Sequence, residues 1–209
     1  NNVAMINNRL KHYAEAEKAY REILDLLNTQ EGSNPMHIAA VNNNLAVCLQ
    51  TQEKFEESLE PISKIVAIST ELSYGPGVAL GEVNWSKSLN ALERWSEALV
   101  HGQKSYDFAL SAGMKNAKAS AMKNMSRAYS GLGNHTLAIA YADSAVEIFR
   151  EIQQMGELFP ALFYQSEAYK NAGKYEEALD IFIAFHELQD SVYSEETKQT
   201  TESMRAKFE

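Results

Sequence analysis

Apolar residues along this chain recur at helical spacing and are interrupted by short polar or glycine-bearing steps. In one stretch they stand at Ala119, Met122, Met125, Ala128, Tyr129 and Leu132, the i, i+3, i+4, i+7 spacing that gathers one face of an α-helix. Gly131-Leu132-Gly133-Asn134 ends that run. Glycine takes a helix C-cap conformation without a Cβ clash, and asparagine caps the helix that follows. A second amphipathic run carries Leu137, Ala138, Tyr141, Ala142, Ala145, Val146 and Phe149. The scheme returns with Leu162, Ala168, Tyr169, a turn at Gly173, then Tyr175, Ala178, Leu179, Phe182 and Phe185. The pattern predicts an all-α chain built from pairs of helices, A then B, joined by tight turns.

These pairs repeat. Small residues Ala16, Ser58, Ala98, Ala138 and Ala178 follow one another at intervals of 42, 40, 40 and 40, and three residues before each stands a ring: Tyr13, Phe55, Trp95, His135 and Tyr175. A fixed period in this range marks a solenoid, in which each unit buries its apolar face only against its neighbours. About five helix hairpins are expected, in units near 1–32, 33–74, 75–114, 115–155 and 156–190 of one array over 1–190. A polar C-terminal helical extension or linker is expected over 191–209. The small residue lets the two helices of a hairpin approach closely, and the ring covers the edge of that contact. Removing the ring of Tyr175 leaves a cavity if that ring is buried.

Several positions refine the boundaries. Asn34-Pro35, Gly75-Pro76-Gly77 and Gly113 mark breaks between units, with proline suited to a first helical turn, and Pro160 is placed in a first turn on the same ground. Pro61 falls about two turns into a helix B, where it predicts a kink. Units two and three carry Gln52-Glu53-Lys54 and Glu93-Arg94 where later units have glycine, which predicts less sharply set helix ends. From Lys174 to Glu209 there is no glycine or proline, so the last helix is expected to run on.

Composition narrows the function. A net charge of −9 without a block of like charges argues against nonspecific attraction to nucleic acid or anionic lipid. No stretch approaches the ~20 apolar residues of a membrane helix, so membrane contact is expected only through a segment outside this sequence. The chain opens Asn1-Asn2-Val3 without a charged and apolar leader and reads as a processed chain or a fragment. The lone Cys48 reads as a small buried residue. His12, His37, His101, His135 and His186 share neither pairing nor phase, so no metal site is expected. Nor is any catalytic residue or cofactor. Trp95 stands in the ring series and Trp85 on the apolar face of a helix A.

The segments Ala-Tyr-x-x-x-Gly-x-Tyr-x-x-Ala-Leu, from Ala168 to Leu179, and Ala-Tyr-x-x-x-Gly-x-His-x-x-Ala, from Ala128 to Ala138, resemble the tetratricopeptide repeat. The period of 40 exceeds that family's average and resembles the long-helix form of bacterial regulatory repeat proteins. The tail Leu188-Gln189-Asp190-Ser191-Val192-Tyr193-Ser194-Glu195-Glu196 is similar to the end of the array in Bacteroidetes sensor histidine kinases and LuxR-type regulators. The resemblance implies a right-handed α-solenoid and a non-catalytic sensor region of a bacterial two-component signalling protein. It would be periplasmic, or alternatively cytoplasmic, with its output domain elsewhere. A scaffold that docks a partner peptide is the alternative. A homodimer through the C-terminal helix is a further expectation.

In such arrays helix A lines the concave face, where a protein, a peptide or a small anionic ligand would lie. In phase with the small residues, one stripe of helix A reads Asn44, Asn84, Asn124 and Tyr164, a second Asn43, Val83, Lys123 and Phe163, and a third Val47, Lys87, Arg127 and Glu167. The asparagine row suits the backbone of an extended peptide, or hydrogen bonds to the neighbouring helix. Lys123 and Arg127 share a helix face, with Lys87 adjacent across a unit boundary. The cluster reads as a seat for a carboxylate or phosphate, or as a solvated polar groove. It is similar to the carboxylate clamp of peptide-binding tetratricopeptide domains, with a different distribution over units.

Overall fold

A computed structural model describes residues 2–190. Its helices run in sequence as α1 (Asn2–Arg9), α2 (Tyr13–Thr29), α3 (Pro35–Thr51), α4 (Phe55–Glu71), α5 (Gly75–Ala91), α6 (Trp95–Ser111), α7 (Lys115–Gly131), α8 (His135–Glu151) and α9 (Met155–Asn171). A tenth, α10, covers 175–190. No strand occurs among the described residues. The extension expected over 191–209, and self-association through it, lie outside them.

The repeat has a simple metric. Helices α2 to α9 are each 17 residues long, and three-residue turns separate them except at 30–34. Those five residues between α2 and α3 account for the first interval of 42. Each ring of the series opens a helix B (α2, α4, α6, α8, α10), and the small residue stands one turn in. Ala16, Ser58, Ala98 and Ala138 have no exposed surface and Ala178 is buried.

Serines of helix A exploit the close approach this allows. Ser86 Oγ donates to the Ala98 carbonyl at 2.8 Å, Ser126 Oγ to that of Ala138 at 2.7 Å and Ser166 Oγ to that of Ala178 at 2.8 Å. The equivalent position in unit two is Ala46, also fully buried. A large side chain at the small-residue site would push these backbones apart.

Helices adjacent in sequence pack together throughout, and helices A also touch one another, α3 with α5, α5 with α7 and α7 with α9. The B helices make no comparable contacts with each other among the described residues. Helices A therefore line the inner side of the array and helices B the outer side.

The turns correct one expectation. Helix ends at glycine-free turns are set as sharply as the others, because Glu53 and Glu93 take the left-handed conformation (φ 60° and 59°) that Gly133 and Gly173 take at 76° and 77°. The closing bonds match: Lys54 N–H donates to Leu49 O at 2.9 Å, Arg94 N–H to Leu89 O at 2.9 Å and Asn134 N–H to Tyr129 O at 2.8 Å. This is the Schellman arrangement, in which orphan helix carbonyls find partners. Asn134 caps α8 with its side chain, as the sequence suggested, and Asn34 caps α3 in the same way.

Two other placements differ from the sequence reading. Pro160 sits inside α9, a turn later than expected, since α9 begins at Met155. Tyr175 is 71% exposed, so removing its ring leaves no cavity. The earlier rings Tyr13, Phe55, Trp95 and His135 are half-buried. α4 continues through the buried Pro61 as one helix. Cys48 is fully buried, its Sγ donating to the Tyr13 carbonyl at 3.4 Å, and burial pushes the thiol pKa up.

Candidate functional site

The inner face is laced by amide side chains at constant offsets. Gln50 Nε2 donates to the Asn84 carbonyl at 3.0 Å, and forty residues on Asn90 Nδ2 donates to that of Asn124 at 2.8 Å. In the reverse direction Asn84 Nδ2 donates to Asn43 Oδ1 and Asn124 Nδ2 to the Val83 carbonyl, both at 3.0 Å. Asn84 and Asn124 are buried, whereas Asn43 and Asn44 are half-buried. Of the two readings of the asparagine row, Asn84 and Asn124 take the helix-to-helix one. Asn43 and Asn44 border a mainly apolar hollow of about 210 Å³ between α3 and α5, with Met36, Ala40, Tyr74 and Leu80.

The cations converge two units further along. Lys123 on α7 makes a short ion pair with Glu157 at the start of α9, and its side chain is only 12% exposed. Lys87 on α5 is solvent-exposed. Partial desolvation, and then the Lys123 ammonium, push its pKa below the ordinary lysine value, with Glu157 opposing. Arg127 Nη1 donates to the Tyr164 hydroxyl at 3.3 Å, and its guanidinium carbon lies 5.3 Å from the centre of that ring. Glu167 accepts from Lys170 at 2.9 Å on the same helix. Among the described residues neither Lys87 nor Arg127 joins an ion pair, whereas Lys123 is neutralised by Glu157.

Arg127, Tyr164 and Glu167 line one cavity of about 280 Å³ with Phe163, Asn171, Ser130 and Trp95. Trp95 reaches it because Gly131 has no side chain: a Cβ there would lie 2.4 Å from the indole. From sequence, Trp95 is weighed as a groove anchor and placed in the core with its ring series, and Lys123 is not paired with Glu157. That pairing was recoverable, since Lys123 and Glu157 stand at the offset of 34 that also joins Gln50 to Asn84 and Asn90 to Asn124.

A further cluster was not anticipated. Glu82, 3% exposed, contacts His101 Nδ1 at 2.5 Å, and the His101 ring stacks on Trp85 with centroids 4.3 Å apart. Lys104 stands 3.9 Å from the same carboxylate. This joins α5 to α6 within one hairpin. No group of three or more metal-ligating side chains occurs among the described residues.

Two sequence models of the tetratricopeptide repeat match the chain, over residues 77–151 and 160–188. Both segments therefore carry the sequence pattern of that repeat. Solved structures agree in fold. A Rap protein complexed with competence and sporulation factor superposes with a TM-score of 0.77 at 20% identity, covering 91% of this chain and 54% of that one. The Rap conjugation gene regulator of plasmid pLS20, in complex with the Phr* peptide, gives 0.77 at 16%, covering 93% and 53%. BtubC from P. vanneervenii gives 0.72 at 16%, covering 91% and 78%. This chain thus spans about half the length of the two Rap chains. No curated protein matches it. At these identities the likeness establishes the tetratricopeptide fold. The sensor kinases and LuxR-type regulators of the tail resemblance are not among these matches.

Proposed function

We propose that this tetratricopeptide array is a non-catalytic receptor for an acidic protein or peptide segment, held in extended form along the inner face. The observation that carries the reading is the pair Lys87 and Arg127: two cations without carboxylate partners, inside a concavity of a protein with net charge −9, one of them beside an aromatic-lined cavity. A ligand carboxylate placed there exchanges water for charge-assisted hydrogen bonds in a partly desolvated site, where such bonds are strongest. Peptide complexes of structurally similar Rap proteins support a peptide as the ligand class.

The test is direct. Lys87→Glu with Arg127→Glu should abolish binding of a glutamate-rich peptide while leaving helicity and melting temperature nearly unchanged, because both side chains stand at the groove surface. Binding by the double variant equal to that of the unchanged protein removes the site.

We further infer that binding is reported through α10, as in the sensor region of a bacterial two-component protein on the periplasmic side of a membrane. Supporting this, α9 carries Tyr164 and Glu167 of the cavity and α10 follows after a three-residue turn. Stacked units couple only to neighbours, so a ligand that changes α7–α9 packing is felt next at α10. Slower hydrogen exchange in 175–190 on peptide binding is the expected result. Unchanged exchange favours the alternative of a scaffold that only docks its partner. Compartment is tested by fusing the gene product to reporters active on one side of a membrane.

A further inference from the structure

The apolar hollow between α3 and α5 shares helix α5 with Lys87 of the cationic pair. It is walled by Met36, Ala40, Tyr74 and Leu80, and Met36, Tyr74 and Leu80 are 38%, 42% and 45% exposed. Leu80 and Lys87 stand seven residues apart on α5, roughly 10 Å along its axis. The next helix A, carrying Arg127, lies about 8 to 10 Å to the side. The diagonal from the hollow to a point between Lys87 and Arg127 is therefore on the order of 14 Å, which an extended peptide spans in about four residues.

We infer that the hollow is a second subsite of the groove. It takes a large aliphatic side chain of an acidic peptide ligand, about four residues from the carboxylate held by Lys87 and Arg127. The occupant follows from chemical complementarity: an apolar recess with Asn43 and Asn44 at its edge, on the same helix α5 that carries Lys87, in an otherwise acidic protein. Burying the aliphatic group removes apolar surface from water on both partners, while the charge fixes register. This inference rests on the groove being a peptide receptor and adds what it selects.

The experiment uses three fluorescein-labelled peptides of glycine, serine and glutamine, each with one leucine and one glutamate. The two residues are set about four positions apart, adjacent, or at twice the first spacing. The first should bind on the order of tenfold more tightly than the others, and more tightly than a copy lacking leucine. Leu80→Asp, and separately Ala40→Trp, which fills the hollow from an exposed position, should erase that advantage and leave the weaker binding of the leucine-free peptide intact. Affinity independent of spacing, or an advantage that survives both variants, overturns the subsite while the receptor reading stands. Failure of all three peptides to bind overturns both.

Discussion

Trp95, the first residue of α6, lies against Gly131, the last residue of α7, so closely that any side chain at Gly131 would meet the indole at 2.4 Å. This contact links consecutive repeats and also places the indole at the wall of the cavity that holds Arg127, one turn before Gly131. Gly131→Val should therefore destabilise the protein by about 1 to 3 kcal/mol through overpacking. Adding Trp95→Ala to Gly131→Val should cost less than the sum of the two single changes, measured by denaturant unfolding. Additive costs would show that the two residues do not share this contact.

The turns offer a matched pair of substitutions. Glu93 occupies the left-handed conformation at φ 59° and Gly133 the equivalent place at 76°. A side chain there costs roughly 1 to 2 kcal/mol. Glu93→Gly should raise the melting temperature and Gly133→Ala lower it, both by thermal unfolding followed by circular dichroism. Opposite signs would mean that the turn conformations differ from those described.

Much of this architecture is written in single positions. The ring and small-residue markers fall on the first and fourth residues of each helix B, and the break signals at Asn34-Pro35 and Gly133-Asn134 lie at helix ends. Glycine is a permissive signal for a left-handed turn and not a required one, which is why the glycine-free turns at Glu53 and Glu93 look weaker in sequence than they are. The site was legible in type and not in pairing. Lys87, Lys123 and Arg127 are brought to one face, but a carboxylate that neutralises one of them stands a full unit away at Glu157. Glu82 and His101, on different helices of one hairpin, carry no sequence mark that distinguishes a buried pair from two surface residues. Nor does the ring of Tyr175 carry a mark that sets it apart, as an exposed ring, from the half-buried rings before it.

The Lys123–Glu157 pair ties α7 to α9 beneath the groove. Lys123→Glu should destabilise the array by about 1 to 3 kcal/mol, since it sets two carboxylates together where a charged hydrogen bond stood. Lys123→Glu with Glu157→Lys should recover most of that loss. If reversing both charges is no better than reversing one, the two side chains are not partners.

Acid should loosen the array's N-terminal end. Glu17 on α2 accepts from Lys54 at 2.7 Å, from Arg21 and from Gln52. Burial raises its pKa, but these bonds outweigh burial and leave it below the ordinary glutamate value. A depressed folded-state pKa gives stability that is present above the unfolded value and lost as pH falls through the folded one. Glu17→Gln should therefore lower the melting temperature near neutral pH, and the gap to the unchanged protein should close in acid, below the ordinary carboxylate range. A gap that is constant with pH would remove Glu17 ionisation from the account.

The central claim is that stacked hairpins present an inner face whose cationic centre receives the ligand. Backbone amide shifts of ¹⁵N-labelled protein during titration with a glutamate-rich peptide test it most directly. The account predicts shifts concentrated on α5, α7 and α9 around Lys87, Arg127 and Tyr164, fading as salt is added. Shifts confined to the outer helices α4, α6 and α8 would contradict it.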